Sequence, residues 1–274
     1  MNRRKFLNYV GCGCGSLLLS SCSSVPITER KQLKIIPEKN INAKAAAIYE
    51  QVKKREKLSD DKKSLSQIKE IGRKMEDSIS LYFERVNLLD PTTNFNWEYI
   101  LIDNDKVRNA WCMPGGKIAF YSGILPVCKN DDGIAAVMGH EIAHAFARHT
   151  VEKLTQSSMI QMATIGISNS RYAELLNKSF KIGNVGGNVY NSVVKYGIFL
   201  PFSRTMESEA DYLGMGFMNL SGFDIKEPSQ LWQRMMADKE GKMPEFMGSH
   251  PSPENRSKKF LEWENEIVDK FPRV

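Results

Sequence analysis

The chain has 274 residues, of which 42% are apolar, so it can form one sizeable folded domain with an accessory segment. Its 38 basic and 32 acidic side chains leave a net charge of +6. No lysine-rich run or stripe of aromatic and basic residues accompanies this mild charge. We therefore expect no nucleic-acid partner.

The first residues, "MNRRKFLNYVGCGCGSLLLSSCSS", have the layout of an export signal. Arg3, Arg4 and Lys5 precede an apolar stretch that is too short to span a membrane. The small residues directly before Cys22 resemble a lipobox, which predicts a signal peptide over residues 1–21 and a lipid on Cys22. An ordinary signal peptide that happens to contain cysteines is the alternative. The start also resembles a twin-arginine signal, so the choice between Sec and twin-arginine export stays open.

These features predict an exported lipoprotein. Ser23 follows Cys22, so no aspartate stands there as an inner-membrane retention signal, and in a Gram-negative bacterium we expect the periplasmic face of the outer membrane. No later stretch has the roughly 18 uninterrupted apolar residues of a spanning helix, so we expect the N-terminal lipid to provide the membrane contact. Cys112 and Cys128 either form a disulfide or remain free buried thiols.

Hydrophobic spacing and turn residues predict an α+β fold that is mainly helical. We expect a lipidated tether over residues 22–42, which contain two prolines and no sustained periodicity, and then an N-terminal helical segment over 43–89. The alternation of "NFNWEYILID" (94–103) predicts a half-buried strand. The stretch "RNAWCMPGGKIAFYSGIL" (108–125) predicts a hairpin around Pro-Gly-Gly.

Two helical regions are predicted after the hairpin. The first is a helix over residues 131–154. Helical segments separated by a glycine-rich loop at 183–188 fill most of the remainder. We assign residues 90–274 to one domain.

The stretch "AVMGHEIAHAFARHT" (136–150) holds three of the four histidines of the chain. His140, Glu141 and His144 form an H-E-x-x-H motif, and on a helix the first and fifth positions share one face. Two imidazoles placed in this way can bind one cation, at about 2.0–2.1 Å for zinc. The glutamate beside them can take a proton from an attacking water. The motif therefore predicts a catalytic zinc site.

A catalytic zinc needs a third protein ligand and one open position. A third histidine ten residues after His140 is excluded, because that position is Thr150. His149 lies about 140° from His144 around a continuous helix, so we expect it at the surface or in a supporting role. A glutamate from a second helix is the remaining common solution.

The second helix is predicted around "SRTMESEADYLGM" (203–215). Glu207 and Asp211 are four residues apart and share one face, whereas Glu209 points away. One of the two carboxylates on the shared face can bind zinc while the other accepts the N–H of a ligating histidine. A solvated acidic face is the alternative interpretation.

The H-E-x-x-H motif followed by S-R-x-x-E-x-E-A-D resembles the zinc metallopeptidases of the CAAX prenyl protease and HtpX type, peptidase family forty-eight. "NAWCMPGGKIAFYSGIL" is similar to the family's strand segment, and "HPSPENR" (250–256) is similar to its C-terminal element. The four motifs occur in the family's order over about residues 90–260. The resemblance implies a zincin-type fold, with an HExxH helix, a second helix that carries a glutamate, and a small β-sheet.

The resemblance also implies roles for single residues. It assigns His140, His144 and Glu207 to one Zn²⁺ ion, Glu141 to general-base catalysis, and Asp211 to the orientation of a ligand. Family members with several spanning helices differ from this chain. It is more similar to the lipoprotein or periplasmic branch of LoiP, YcaL and BepA.

A zinc peptidase also needs a donor to the oxyanion. His250 and Arg256 are the candidates. Alternatively, His250 binds zinc as a fourth ligand and keeps the enzyme latent. We expect the substrate backbone to add a strand to a sheet edge near Asn109–Met113 or Ile118–Tyr121, which favours unfolded chains.

The predicted function is therefore a membrane-anchored, exported zinc metalloendopeptidase that hydrolyses unfolded or misassembled envelope proteins. The envelope assembly machinery is a further expected partner. One alternative is a chaperone-like assembly adaptor with a latent zinc site, which proteolysis of casein would distinguish from the enzyme. Another is a structural zinc protein, which is disfavoured because a closed site does not need Glu141 beside the metal.

Overall fold

The computed structural model describes residues 22–34, 37–156, 202–237, 246, 250 and 256–274. The predicted signal peptide (1–21) and glycine-rich loop (183–188) lie outside these described residues. Of Cys22, only the backbone is described.

Helices make up most of the described chain, and short strands occur in its first half. The elements in chain order are β1 (Cys22–Ser24), β2 (Lys31–Leu33), α1 (Glu38–Arg55), α2 (Lys62–Arg85), β3 (Glu98–Ile102), β4 (Ala110–Met113), β5 (Lys117–Tyr121), the 3₁₀ turn Ser122–Ile124, α3 (Leu125–Cys128), α4 (Asp131–Phe146), α5 (149–156), α6 (Arg204–Leu220), α7 (Glu227–Ala237) and α8 (Arg256–Lys270). The predicted α+β, mainly helical class is confirmed.

Three strands form the sheet that lies beside α4. β5 is its middle strand, with β3 parallel on one side and β4 antiparallel on the other. The predicted hairpin is β4–β5, and its turn places Gly115 and Gly116 at φ of 82° and 80°, a left-handed conformation that suits glycine. Since Ile118–Tyr121 belongs to the middle strand, the prediction that it forms a sheet edge was wrong.

Both faces of this sheet are covered, which corrects the prediction of a half-buried strand at β3. Ile100 and Ile102 pack with α1, whereas Tyr99 and Leu101 belong to the main core with α2, α4 and α6. A strand buried on both faces is a continuous apolar run. The alternation that predicted an exposed face comes from the polar residues before β3.

α4 and α6 cross at two glycines. A Cβ atom at Gly214 would lie 2.9 Å from the backbone N of His140, and one at Gly139 would lie 2.9 Å from the backbone O of Gly214. Side chains do not fit at such distances, so the two backbones are in direct contact. The crossing brings the H-E-x-x-H turns of α4 against the acidic turns of α6.

α4 is shorter than the predicted helix over residues 131–154. It ends at Phe146, and Arg148 adopts a left-handed φ of 56°. The chain then turns and α5 begins at residue 149. The direction of His149 therefore does not follow from the period of α4, and the 140° estimate was wrong.

The N-terminal segment is folded onto the domain. β1 and β2 pair as an antiparallel hairpin, Val25 is fully buried, and α1 already begins at Glu38. Residues 22–42 are thus not the free tether that their composition predicts. Strands of three residues are too short for a periodicity to be visible.

The two cysteines of the sheet region are both unbonded. Cys112 in β4 and Cys128 in α3 are free and buried, which decides between the two alternatives that the sequence left open. Within the described part of the chain, no helix has both the length and the apolar composition that a bilayer crossing requires.

Candidate metal centre

Four side chains converge beside the crossing of α4 and α6. His140 and His144 project from α4, Glu207 projects from α6, and His250 comes from the chain between α7 and α8. One donor atom of each lies within 4.8 Å of the donor atoms of the other three, and all four side chains are buried. The structure thus brings together the three ligands predicted from the sequence, and adds His250.

The distances between these donor atoms fit one tetrahedral zinc ion. Two ligands at about 2.0–2.1 Å from zinc lie about 3.3 Å apart at the tetrahedral angle. Nε2 of His140 is 3.0 Å from Nε2 of His144, which is 3.4 Å from Oε1 of Glu207. Oε2 of Glu207 is buried without a hydrogen-bond partner, 3.4 Å from Nε2 of His140. A bound cation would satisfy that oxygen, so the cluster fits Zn²⁺.

The protonation states of the cluster suit a metal site. Burial lowers the pKa of His144 well below its usual range, so the ring is neutral and can act as a metal ligand. Burial opposes the negative charge of Glu207, but the imidazoles of His250 and His144 outweigh burial and hold the pKa of Glu207 well below its usual range. Glu207 is therefore an anionic ligand, and the histidine is a neutral one.

Glu141 lies next to the cluster but is held by the sheet. Its Oε2 accepts a hydrogen bond from the backbone N–H of Cys112 in β4 at 3.0 Å, and its Oε1 lies 3.2 Å from Nε2 of His250. β4 is an edge strand of the described sheet. The segment Asn109–Met113, which we predicted to receive substrate, therefore lies beside the predicted base.

Asp211 lies behind His140, on the side of the ring that faces away from the cluster. Its Oδ1 is 3.0 Å from Nδ1 of His140. In the tautomer whose Nδ1–H donates a hydrogen bond to this carboxylate, Nε2 keeps its lone pair for a metal ion. The structure thus places Asp211 where it can orient a ligand, as the resemblance implied.

Arg256 lies on the same side as Asp211. Its guanidinium donates a hydrogen bond to Asp211, lies 3.3 Å from Nδ1 of His140, and sits 4.2 Å above the ring of Trp232. These contacts favour support of Asp211 over contact with a substrate carbonyl. The role of Arg256 as an oxyanion donor stays a prediction.

His250 was predicted to act either as an oxyanion donor or as a fourth ligand. Its Nδ1 is 3.1 Å from Oε1 of Glu207 and 3.2 Å from Nε2 of His140. Although burial lowers the pKa of His250, the carboxylates of Glu207 and Glu141 outweigh burial and raise it to about 10. Phe246 stacks on the ring, with centroids 4.6 Å apart. The position of the ring inside the cluster favours the fourth ligand, and in that role the cation would take the place of the proton on His250.

Two residues lie behind the cluster: His149, for which the sequence left a surface position or a supporting role open, and Glu209, whose contact with the site the sequence analysis missed. His149 is fully buried, and its Nδ1 lies 2.8 Å from Nδ1 of His144. Glu209, which was predicted to point away from the site, is also buried and lies 2.8 Å from Nε2 of His149. One weak signal existed, because Met206 and Leu213 lie three residues before and four residues after Glu209 and so place apolar side chains on its face of the helix.

We predict that Glu207→Ala lowers zinc affinity much more than Glu209→Ala. Glu207 belongs to the cluster, whereas Glu209 reaches it only through His149. The loss at Glu209 should be on the order of 10–100-fold, as for residues that orient a ligand, and the loss at Glu207 should exceed it. Competition with a chelator measures the zinc affinity of both variants. Equal losses, or a larger loss at Glu209, would show that the ligand has been assigned to the wrong carboxylate.

The chain matches the model of peptidase family M48 over residues 67–264. The mitochondrial metalloendopeptidase OMA1 of Schizosaccharomyces pombe is 35% identical over 187 residues, which cover 68% of this chain and 52% of the relative. OMA1 of Saccharomyces cerevisiae is 33% identical over 195 residues, which cover 67% of this chain and 51% of that relative. The β-barrel assembly-enhancing protease of Yersinia pestis is 26% identical over 164 residues, which cover 58% of this chain and 33% of that relative.

The chain spans about half the length of the OMA1 relatives it matches. The match to the family model nevertheless covers most of the chain, and it includes Glu141 and all four residues of the cluster. It confirms the family that the motifs predicted, whereas the CAAX prenyl protease or HtpX type and the lipoprotein branch stay predictions. The chain belongs to peptidase family M48, a family of zinc metallopeptidases.

Proposed function

We propose that this protein is a zinc-dependent endopeptidase. The observation that carries the proposal is the position of Glu141, whose carboxylate lies beside the metal cluster without being one of its ligands. When bound, zinc supplies Lewis-acid polarisation of a peptide carbonyl and acidifies water. A structural zinc site has no use for a carboxylate in this position.

The side chains around the cluster carry out proton transfer and ligand orientation. Glu141 accepts the proton of the attacking water and delivers it to the leaving amine. The N–H of Cys112 holds the other oxygen of this carboxylate, so Oε1 is the atom that handles the proton. Asp211 keeps the proton of His140 on Nδ1, away from the reacting bond.

We infer that the substrate is an extended or unfolded polypeptide. The edge strand β4 carries the amide that bonds to Glu141, so a peptide that adds to this edge lies next to the base. Main-chain hydrogen bonds to an edge strand need a substrate whose own backbone groups are free. This favours unfolded or misassembled proteins over folded ones.

Envelope quality control is the setting that we propose. Its support is the N-terminal sequence, which resembles a lipoprotein signal, and the similarity to a protein named for β-barrel assembly. On this proposal the protein is anchored through Cys22 at the periplasmic face of an outer membrane, with the envelope assembly machinery as a partner. The OMA1 relatives are mitochondrial by name, so the N-terminal sequence is the main support for the proposed compartment.

A chaperone-like assembly adaptor with a latent zinc site is the second candidate. His250 favours it, because four protein ligands would leave no open position on a tetrahedral zinc. Casein distinguishes the two candidates. Cleavage by the wild-type protein or by a His250 variant supports the enzyme, and zinc binding without cleavage in both proteins supports the adaptor.

We predict that Glu141→Gln retains zinc but lowers kcat on casein by about 10²–10⁴-fold, the contribution of a general base. The amide keeps the size of the side chain but cannot accept the proton of water. Zinc content and casein hydrolysis are measured on the same preparation. Glu227→Gln, which changes another buried glutamate away from the cluster, should retain both. Full activity of Glu141→Gln would exclude the proposed mechanism.

We predict that His250→Ala raises kcat. The change removes the ring that lies against Glu207 and Glu141, so the open form of the site becomes the main one. If the wild-type protein is open for about a tenth of the time, the gain is about tenfold. A fluorogenic peptide measures kcat. A fall of roughly 10²–10³-fold would instead identify His250 as an oxyanion donor.

We predict that Cys22→Ser abolishes lipidation and releases the protein from membranes. Cys22 follows the small residues of the resembled lipobox, and serine lacks the thiol that carries the lipid. Incorporation of labelled fatty acid and membrane fractionation measure the two effects. Equal labelling of the serine variant would place the lipid elsewhere, and absence of label from both proteins would show that the leader is an ordinary signal peptide.

A further inference from the structure

The two ligating histidines of α4 are oriented in different ways. Nδ1 of His140 meets the carboxylate of Asp211 directly, at 3.0 Å. Nδ1 of His144 meets another imidazole, that of His149, at 2.8 Å, and Nε2 of His149 lies 2.8 Å from Oε2 of Glu209. The second ligand thus reaches its carboxylate through an intervening ring.

Metal binding by His144 fixes the direction of the hydrogen bonds from His144 through His149 to Glu209. When Nε2 of His144 binds a cation, Nδ1 carries the proton and must donate it. Nδ1 of His149 is then the acceptor, and Nε2 of His149 donates to Glu209. The other tautomer of His149 would place two N–H groups against each other. Glu209 therefore sets the tautomer of both rings.

Glu209 is held by the N-terminal hairpin. Thr28, in the turn between β1 and β2, donates a hydrogen bond to its carboxylate, and Arg30 donates from Nε at 2.6 Å. The other edge of the guanidinium donates to Glu152 of α5, from Nη1 at 3.1 Å and from Nη2 at 2.8 Å. Both edges of Arg30 are thus bonded to glutamates of the domain.

Arg30 is the shared ion-pair partner of two buried carboxylates. Glu152 and Glu209 are 5% and 6% exposed, and each forms an ion pair with this guanidinium. Without it, the two carboxylates would repel each other in a poorly hydrated place. Glu209 would then turn away from its present position, and His149 would lose its acceptor.

We propose that Arg30 is a positioning residue of the zinc centre. Through Glu209 and His149, Arg30 fixes the orientation and the tautomer of the His144 ring. The N-terminal hairpin therefore contributes to metal binding. The inference rests on the proposed zinc function. It extends that function to a segment outside the family match, which begins at residue 67.

The test compares two arginines in similar ion pairs. The side chains of Arg30 and Glu209 are 21% and 4% exposed, and those of Arg234 and Glu227 are 19% and 8% exposed. Arg30→Met and Arg234→Met therefore each remove one similarly buried arginine–glutamate pair, and Arg30→Met also removes the pair with Glu152. Only Arg30 is connected to a zinc ligand. The measurements on the full chain are the melting temperature, the zinc dissociation constant from chelator competition, and the visible spectrum of the cobalt-substituted protein.

We expect both variants to melt at a lower temperature. Arg30→Met should also weaken zinc binding by about 10–100-fold and change the cobalt spectrum, because a ligand loses its orientation. Arg234→Met should leave both metal properties at the wild-type value. Glu209→Gln, which keeps the size of the side chain, should reproduce the effect of Arg30→Met and serves if that variant does not fold.

Wild-type zinc affinity, within about twofold, and an unchanged cobalt spectrum in Arg30→Met or in Glu209→Gln would overturn the proposal, since orienting residues contribute far more. Equal loss of zinc affinity in Arg234→Met would also overturn it and show a general effect of destabilisation. Failure of the proposed endopeptidase function would be seen in a different measurement, the cleavage of casein. If the wild-type protein and the His250→Ala variant both bind zinc and neither cleaves casein, the endopeptidase is contradicted and the comparison of the two arginines stays intact.

Discussion

The backbone contact between α4 and α6 is the constraint on which the metal centre depends. At Gly139 and Gly214 the helices approach so closely that a single added Cβ atom would lie 2.9 Å from the opposite backbone. An ordinary contact distance would move the helices apart by several tenths of an ångström, whereas zinc tolerates ligand distances within about 0.2 Å. Glycine at the crossing therefore allows His140 and Glu207 to reach the same ion from different helices.

The cluster is fully buried, so each of its charges needs a partner. Asp211 and Arg256 balance each other behind His140, and Glu209 and Arg30 balance each other behind the second ligand. An unpaired buried charge costs several kcal/mol, roughly, which makes these outer pairs a condition for the cluster itself. The two arginines come from opposite ends of the chain, from the N-terminal hairpin and from α8. The metal centre thus depends on chain segments far from α4 and α6 in the sequence.

The site residues whose proximity the sequence predicted are those whose spacing alone fixes their relation. His140, Glu141 and His144 follow from one helical turn, and Glu207 and Asp211 follow from one turn of the second helix. His149 could not be placed, because the left-handed backbone at Arg148 ends α4 and an arginine carries no composition signal for that conformation.

The N-terminal hairpin was missed for a related reason. Its strands have three residues each, and its contacts are to side chains more than a hundred positions away. Gln32 donates to the carbonyl of Ala147 at 3.3 Å, which attaches the hairpin to the break between α4 and α5. Such long-range contacts leave no local pattern that a window of the sequence can show. The resemblance to the family does not reach the hairpin either, since the match begins at residue 67.

His250 opposes catalysis in either of its protonation states. As an imidazolium, His250 is the positive charge between the carboxylates of Glu141 and Glu207. It then lies against Oε1 of Glu141, the oxygen that must accept the proton of water. As a neutral ring it offers Nδ1 to the cation and fills the position that a substrate carbonyl requires. In the proposed endopeptidase this ring must therefore leave the cluster before hydrolysis, whereas the proposed adaptor function does not need that movement. The movement of His250 is thus the physical step that separates the two proposed functions.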